Sequence, residues 1–192
     1  MVNRWKPIFI NVSPEDLRLP IRTTAAADSK VASQTFVARR WGKQLDAFFS
    51  DIDNLTNRHG RDILKDGTVT RLGMQPPDLV TAGLPCQPFT EFRNNKRSCP
   101  AHKHDKFALT FDRFIAYIRR VKPRGGIVEE VQDFDRELSA TEFGPEWIGV
   151  IPRSWRRHFE KLLRDEGYAV IMVTLDNTIF IDVPRIRLPQ KV

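Results

Sequence analysis

The run Leu79-Val80-Thr81-Ala82-Gly83-Leu84-Pro85-Cys86-Gln87-Pro88-Phe89-Thr90 constrains the fold more than any other part of the chain. Its first four residues read as a short buried strand, which Gly83 ends. Pro85 and Pro88 then bracket a cysteine. Each proline fixes its own φ and drives the residue before it toward extended geometry, so Cys86 sits on a stiff loop at a strand end. Open α/β sheets bind ligands at such ends. A thiolate there is a strong nucleophile once its pKa is lowered. The plain alternative is a small buried cysteine in a turn.

The rest of the chain alternates in the same style. Arg22 to Ala27 reads as a short strand, and Asp28 as the cap of a helix running to about Trp41 with Val31, Phe36 (or Thr35) and Ala38 inward. Phe48-Phe49 leads to a strand end at Asp51-Ile52. Residues 53–77 read as a loop-rich connection. The strongest periodicity lies between Asp105 and Val121, where Phe107, Phe111, Phe114, Ile115, Ile118 and Val121 recur at three- and four-residue steps, a core stripe on a helix that Pro123 stops. Gly125 to Val131 is the next strand, with Ile127 and Val128 buried and Glu129 and Glu130 at its carboxyl end. A loop spans 132–152. A second amphipathic helix covers Arg153 to Glu166, with Gly167 as its stop, and a strand covers Tyr168 to Leu175. Residues 1–20 form an irregular extension interrupted by Pro7, Pro14 and Pro20, with Ile8 to Val12 as a candidate strand. Strand–helix alternation over 21–192 implies an α/β domain with a mostly parallel sheet flanked by helices.

Bulk properties narrow the function classes. At 192 residues the chain is long enough for one domain with a real core. No run has the length of a membrane-spanning helix, and Met1 to Pro7 lacks a signal-peptide pattern. Two cysteines, Cys86 and Cys99, make no disulfide framework, so an intracellular, reducing setting is expected. A net charge of +7 favours a polyanionic partner. Cys86, Cys99, His102 and His104 match no common zinc spacing, and no metal is expected.

Pro85-Cys86-Gln87-Pro88-Phe89-Thr90 resembles the motif that carries the nucleophile in cytosine-5 DNA methyltransferases, with Thr90 in place of serine. Pro123 and Glu129-Glu130-Val131 resemble the family's Glu-Asn-Val strand end, with Glu130 for the asparagine. Arg185-Ile186-Arg187 resembles its Arg-x-Arg motif without the preceding glutamine. The matches run in family order from about Ala26 to Arg187.

The resemblance implies a Rossmann-like fold dependent on S-adenosylmethionine, incomplete at both ends. It implies methyl transfer to carbon 5 of cytosine in DNA, with tRNA as the alternative acceptor and no membrane partner, wherever in the cell the DNA is. Cys86 would be the nucleophile, Glu129 the group at the cytosine N3 edge, and Arg187 (Arg185 second) the contact to O2. Asp28, Asp51, Ile52 and Pro85 would face the cofactor. Gln87, Thr90, Arg93, Lys96 and Arg97 would face nucleic acid on the loop after the nucleophile. Three departures stand out. The ribose glutamate position falls on Ala26, residues 1–25 hold no glycine for the family's cofactor loop, and nothing matches its target-recognition domain. A fragment, a mis-bounded gene model, a split-enzyme subunit awaiting its complement and a degenerate copy, serving as a nucleic-acid-binding or regulatory module, are all compatible with this pattern.

Overall fold

The computed structural model describes residues 22–89, 101–138 and 154–174. The candidate residues Thr90, Arg93, Lys96, Arg97, Arg185 and Arg187, together with Cys99 and the candidate strand at 8–12, lie outside them. Within the described residues the architecture is mixed α/β, with short parallel sheets flanked by helices.

Two parallel pairs form the framework. Strand β1 (Ala25–Ala27) pairs with β2 (Ala47–Phe49), and helix α1 (Val31–Trp41) is the crossover between them. Strand β5 (Leu79–Gly83) pairs with β6 (Gly125–Glu129), and the crossover carries α3 (Ile115–Val121). Parallel neighbours need such a crossover, which is why helices separate these strands in sequence. Among the described residues the pairs are separate two-stranded ladders rather than one continuous sheet.

Residues 53–77, expected as a connection rich in loops, instead hold helix α2 (Ile52–Asn57) and an antiparallel hairpin of β3 (His59–Arg61) and β4 (Val69–Arg71). The hairpin is tied inward by Asp62, whose side chain is fully buried. One carboxylate oxygen accepts the Phe48 and Leu64 amides, each at 3.0 Å, and the other accepts the Thr70 hydroxyl at 3.0 Å. Lys65 Nζ completes the cage at 3.0 Å. Gly60 of β3 lies so close to α2 that an added Cβ would come within 2.8 Å of Asn54 Cβ. Gly60→Ala is therefore expected to cost about 1–3 kcal/mol in chemical denaturation, because the backbone of α2 or β3 must shift.

The main core is aromatic and gathers around the stripe expected over 105–121. Phe107, Phe111, Phe114, Ile115, Ile118 and Val121 are all buried, as the spacing implies. The helix carries a π-helical stretch at Leu109–Phe114 before continuing as α3. Helix α4 (Trp155–Asp165) lays Trp155 and Phe159 onto the same cluster. Ser154 caps it by accepting the Arg157 amide at 3.3 Å. Gly167, at φ 93°, ends it: its amide reaches Arg164 O at 2.9 Å and the Tyr168 amide reaches Leu163 O at 3.1 Å, a Schellman closure.

Several expectations are corrected. Asp28 does not cap α1. The cap position is Lys30, and Asp28 sits in the preceding turn, accepting the Lys30 amide at 2.7 Å. Val31 and Phe36 do not point inward but are 74% and 56% exposed, because no element among the described residues covers that face. Strand β5 is only half-buried, since Leu79, Thr81 and Gly83 line an open face while Val80 and Ala82 face the core. Ile127 shares that open face at 62% exposed, while Val128 packs inward as expected. Residues 168–174 form no strand. Their backbone finds no ladder partner among the described residues, and Ile171, Met172 and Val173 are exposed. The 132–152 loop contains a 3-10 turn at Gln132–Asp135.

Candidate active site at the strand ends

Strands β5 and β6 run in register with Gly83 opposite Glu129. Just beyond, the Leu84 amide reaches Glu129 O at 3.4 Å. Both carboxyl ends therefore point the same way, and the loop carrying Cys86 leaves β5 beside the residues that end β6. A Cβ at Gly83 would lie 3.7 Å from Glu129 Oε2, so the glutamate side chain lies over the glycine.

The loop is held at both sides. Pro85 stiffens its entry. Cys86 O accepts the Phe89 amide at 2.9 Å, closing a turn over Gln87 and Pro88. Phe89 is buried against Phe134 with ring centroids 4.7 Å apart, and also meets Phe107 and Phe111. Phe134 belongs to the turn after β6. One aromatic contact thus fixes the Cys86 loop and the Glu129–Glu130 segment relative to each other. Phe89 is an anchor of the motif rather than a reacting group.

Cys86 is half-buried. Its thiol is raised above the ordinary value, chiefly by burial and then by the charges of Glu130 and Glu129, while its own backbone N–H and Lys30 oppose the shift. Glu130 is pushed up to about 8, mainly by burial and further by Glu129, against the lowering effect of the Val131 amide. That amide is held by one carboxylate oxygen at 3.0 Å. Among the described residues the other oxygen is buried without a hydrogen-bond partner, as is Gln87 Oε1. Glu129 itself is exposed. The site is therefore a partly desolvated thiol under the electrostatic influence of an exposed glutamate and a buried one whose pKa is pushed up to about 8.

The residues expected around the cofactor are placed less favourably. The Asp28 carboxylate is taken by its own turn, and its carbonyl accepts Gln34 Nε2 at 2.7 Å. Asp51 caps α2 through the Asp53 amide at 2.8 Å and is paired with Arg113 at 2.9 Å. Ile52 packs on the aromatic core. Lys30, whose charge opposes the rise of the Cys86 thiol, and Arg113, which pairs with Asp51, carry no local sequence signal. Each gains its neighbour only through tertiary folding, Lys30 from the end of the β1 connection and Arg113 from the helix leading into α3. No cluster of potential metal ligands occurs among the described residues. No protein-family model and no curated protein matches the chain, so the family resemblance stands on the motif residues themselves.

Proposed function

We propose that the protein acts on DNA as a cytosine-5 methyltransferase-type enzyme, in which Cys86 adds covalently to a cytosine flipped out of the duplex. The observation that carries this reading is the β5–β6 register, which brings Cys86 to the same strand ends as Glu129, within electrostatic reach of the carboxylate. Carbon 5 of cytosine is a poor nucleophile. Addition of the Cys86 thiolate at carbon 6 breaks the aromatic ring and pushes electron density toward N3 and carbon 5. The Glu129 carboxylate takes up the proton that the Cys86 thiol loses and delivers it to N3, absorbing that charge, and carbon 5 becomes enamine-like. Once carbon 5 is substituted, passage of its proton to solvent with expulsion of Cys86 would restore the ring and free the thiolate. The covalent step divides one hard reaction into two easier ones.

S-adenosylmethionine supplies the methyl group in this chemistry. The described residues do not make a complete site for it, since Ala26 stands at the ribose position and the Asp51 carboxylate is engaged by Arg113. That favours a second reading, a nucleic-acid-binding or regulatory relative that has lost the cofactor.

Incubation with S-adenosylmethionine and duplex DNA containing 5-fluorocytosine tests the first reading. Fluorine cannot leave as a proton does, so the expected result is a denaturation-resistant adduct that Cys86→Ser abolishes. Absence of an adduct, with no heat of binding in calorimetric titration with S-adenosylmethionine, selects the second. The same trap on a tRNA carrying 5-fluorocytosine asks which polymer is the acceptor.

A further inference from the structure

We propose that the outer face of the β3–β4 hairpin, together with the C-terminal end of α1, is a phosphate-contacting surface for duplex DNA, distinct from the Cys86 loop. It rests on the reading of DNA as the partner, but not on catalysis.

The hairpin register pairs His59 with Arg71 and Arg61 with Val69. All four residues are exposed, whereas Gly60 is buried against Asn54 and Thr70 is turned toward Asp62. Alternation along each strand therefore collects Arg61 and Arg71 on one solvent face. The end of α1 adjoins this unit, because a Cβ at Gly42 would meet Leu64 Cδ2 at 3.2 Å, and Lys65 Nζ reaches Asp46 O at 2.9 Å. That end carries exposed Arg39, Arg40 and Lys43.

Two of the three nearby carboxylates are already engaged. Asp62 is buried and held by Lys65, and Asp46 is paired with Arg22 at 2.8 Å. Asp66, in the hairpin turn, is the exposed acid of the region. Elsewhere several exposed cations are paired, although Lys103, Arg120, Arg157 and Lys161 are not paired among the described residues. Arg119 and Lys122 share Glu166, Arg124 meets Asp78, and Arg156 and Arg164 meet Glu160. Arg39, Arg40, Lys43, Arg61 and Arg71 have no such counter-charge among the described residues. A two-stranded ribbon has the width to enter a major groove, and arginines on its outer face reach phosphates in a sequence-independent way.

The test is fluorescence anisotropy of a labelled duplex with the full chain, from about 50 to about 200 mM salt. Arg61→Ala/Arg71→Ala is expected to weaken binding about 10- to 50-fold and to lower the slope of log K against log salt by about 2, one phosphate per arginine. Arg61→Lys/Arg71→Lys keeps the charge and is expected to retain the slope, which separates lost contacts from lost folding. An alanine variant with unchanged affinity and slope overturns the proposal. So does wild-type protein that binds anionic phospholipid vesicles in preference to the duplex. Either result leaves the 5-fluorocytosine adduct at Cys86 as an independent readout of catalysis.

Discussion

Asp62→Ala is expected to destabilise the protein by about 3–5 kcal/mol at neutral pH, measured by urea denaturation followed by circular dichroism. The carboxylate is fully buried and accepts from two backbone amides, a hydroxyl and an ammonium. Alanine leaves the Phe48 and Leu64 amides without their acceptor, and Phe48 lies on a strand that is itself fully buried. An orphaned buried donor costs its full desolvation penalty, unlike a lost surface pair. Asp62→Asn separates the contributions. Its oxygen keeps both amides, while its NH2 group faces Thr70, whose hydroxyl can turn to accept, and Lys65, which cannot. The expected cost is therefore smaller, about 1–2 kcal/mol.

The pH dependence has a definite sign. Burial raises the Asp62 pKa, but the hydrogen bonds from Phe48, Lys65, Leu64 and Thr70 outweigh it and hold the group below its ordinary value. Its contribution to stability is thus full above an unfolded pKa near 3.8 and is lost as pH falls through the lower folded value. Wild type and Asp62→Asn should converge in stability under strongly acidic conditions. A gap that persists there, or an alanine variant as stable as wild type, would contradict the caged-carboxylate account.

That carboxylate also shows where sequence reading stops. The aromatic stripe from Phe107 to Val121 is legible because its period is local and its residues are large. The β5 strand, the Cys86 loop, the end of β6 and the Gly167 stop are legible for a related reason, since glycine and proline act on their own backbone. The β3–β4 hairpin is not. Its strands are three residues each and carry His, Gly and Arg, and its inward anchor is an aspartate that any local rule assigns to a turn. The opposite error occurs at Val170 to Val173, an apolar, largely β-branched run that nevertheless needs a neighbour to become a strand. Val31 and Phe36 fail likewise, because helical spacing defines a face without saying whether anything covers it. At the candidate site, Cys86 and Glu129 are singled out only by their resemblance to a motif, and the pairing of Asp51 with Arg113 joins residues far apart in the chain. The burial that sets the charge of Glu130 is likewise created by folding.

Glu130→Gln is expected to change how Cys86 responds to pH. In a Cys99→Ser background, iodoacetamide alkylation reports the Cys86 thiolate alone, since the chain has two cysteines. In wild type, Glu130 is neutral well below its value of about 8 and does not oppose ionisation of the thiol. Above that value its negative charge acts on the sulfur, and the thiolate is withheld. The variant should match wild type within about twofold near neutral pH and react about 3- to 10-fold faster at pH about 9.5, because the opposing charge is gone. Glu129→Gln should show a smaller effect, since Glu129 is exposed and acts more weakly on the thiol. Stability moves in the same sense. A carboxyl whose folded pKa is raised favours folding less as pH climbs from its ordinary 4.5 toward about 8, so the glutamine variant should gain on wild type over that interval by on the order of a few kcal/mol. Coincident alkylation profiles and a pH-independent stability difference together would mean that Glu130 is ionised in the folded protein and exerts no charge effect on the Cys86 thiol.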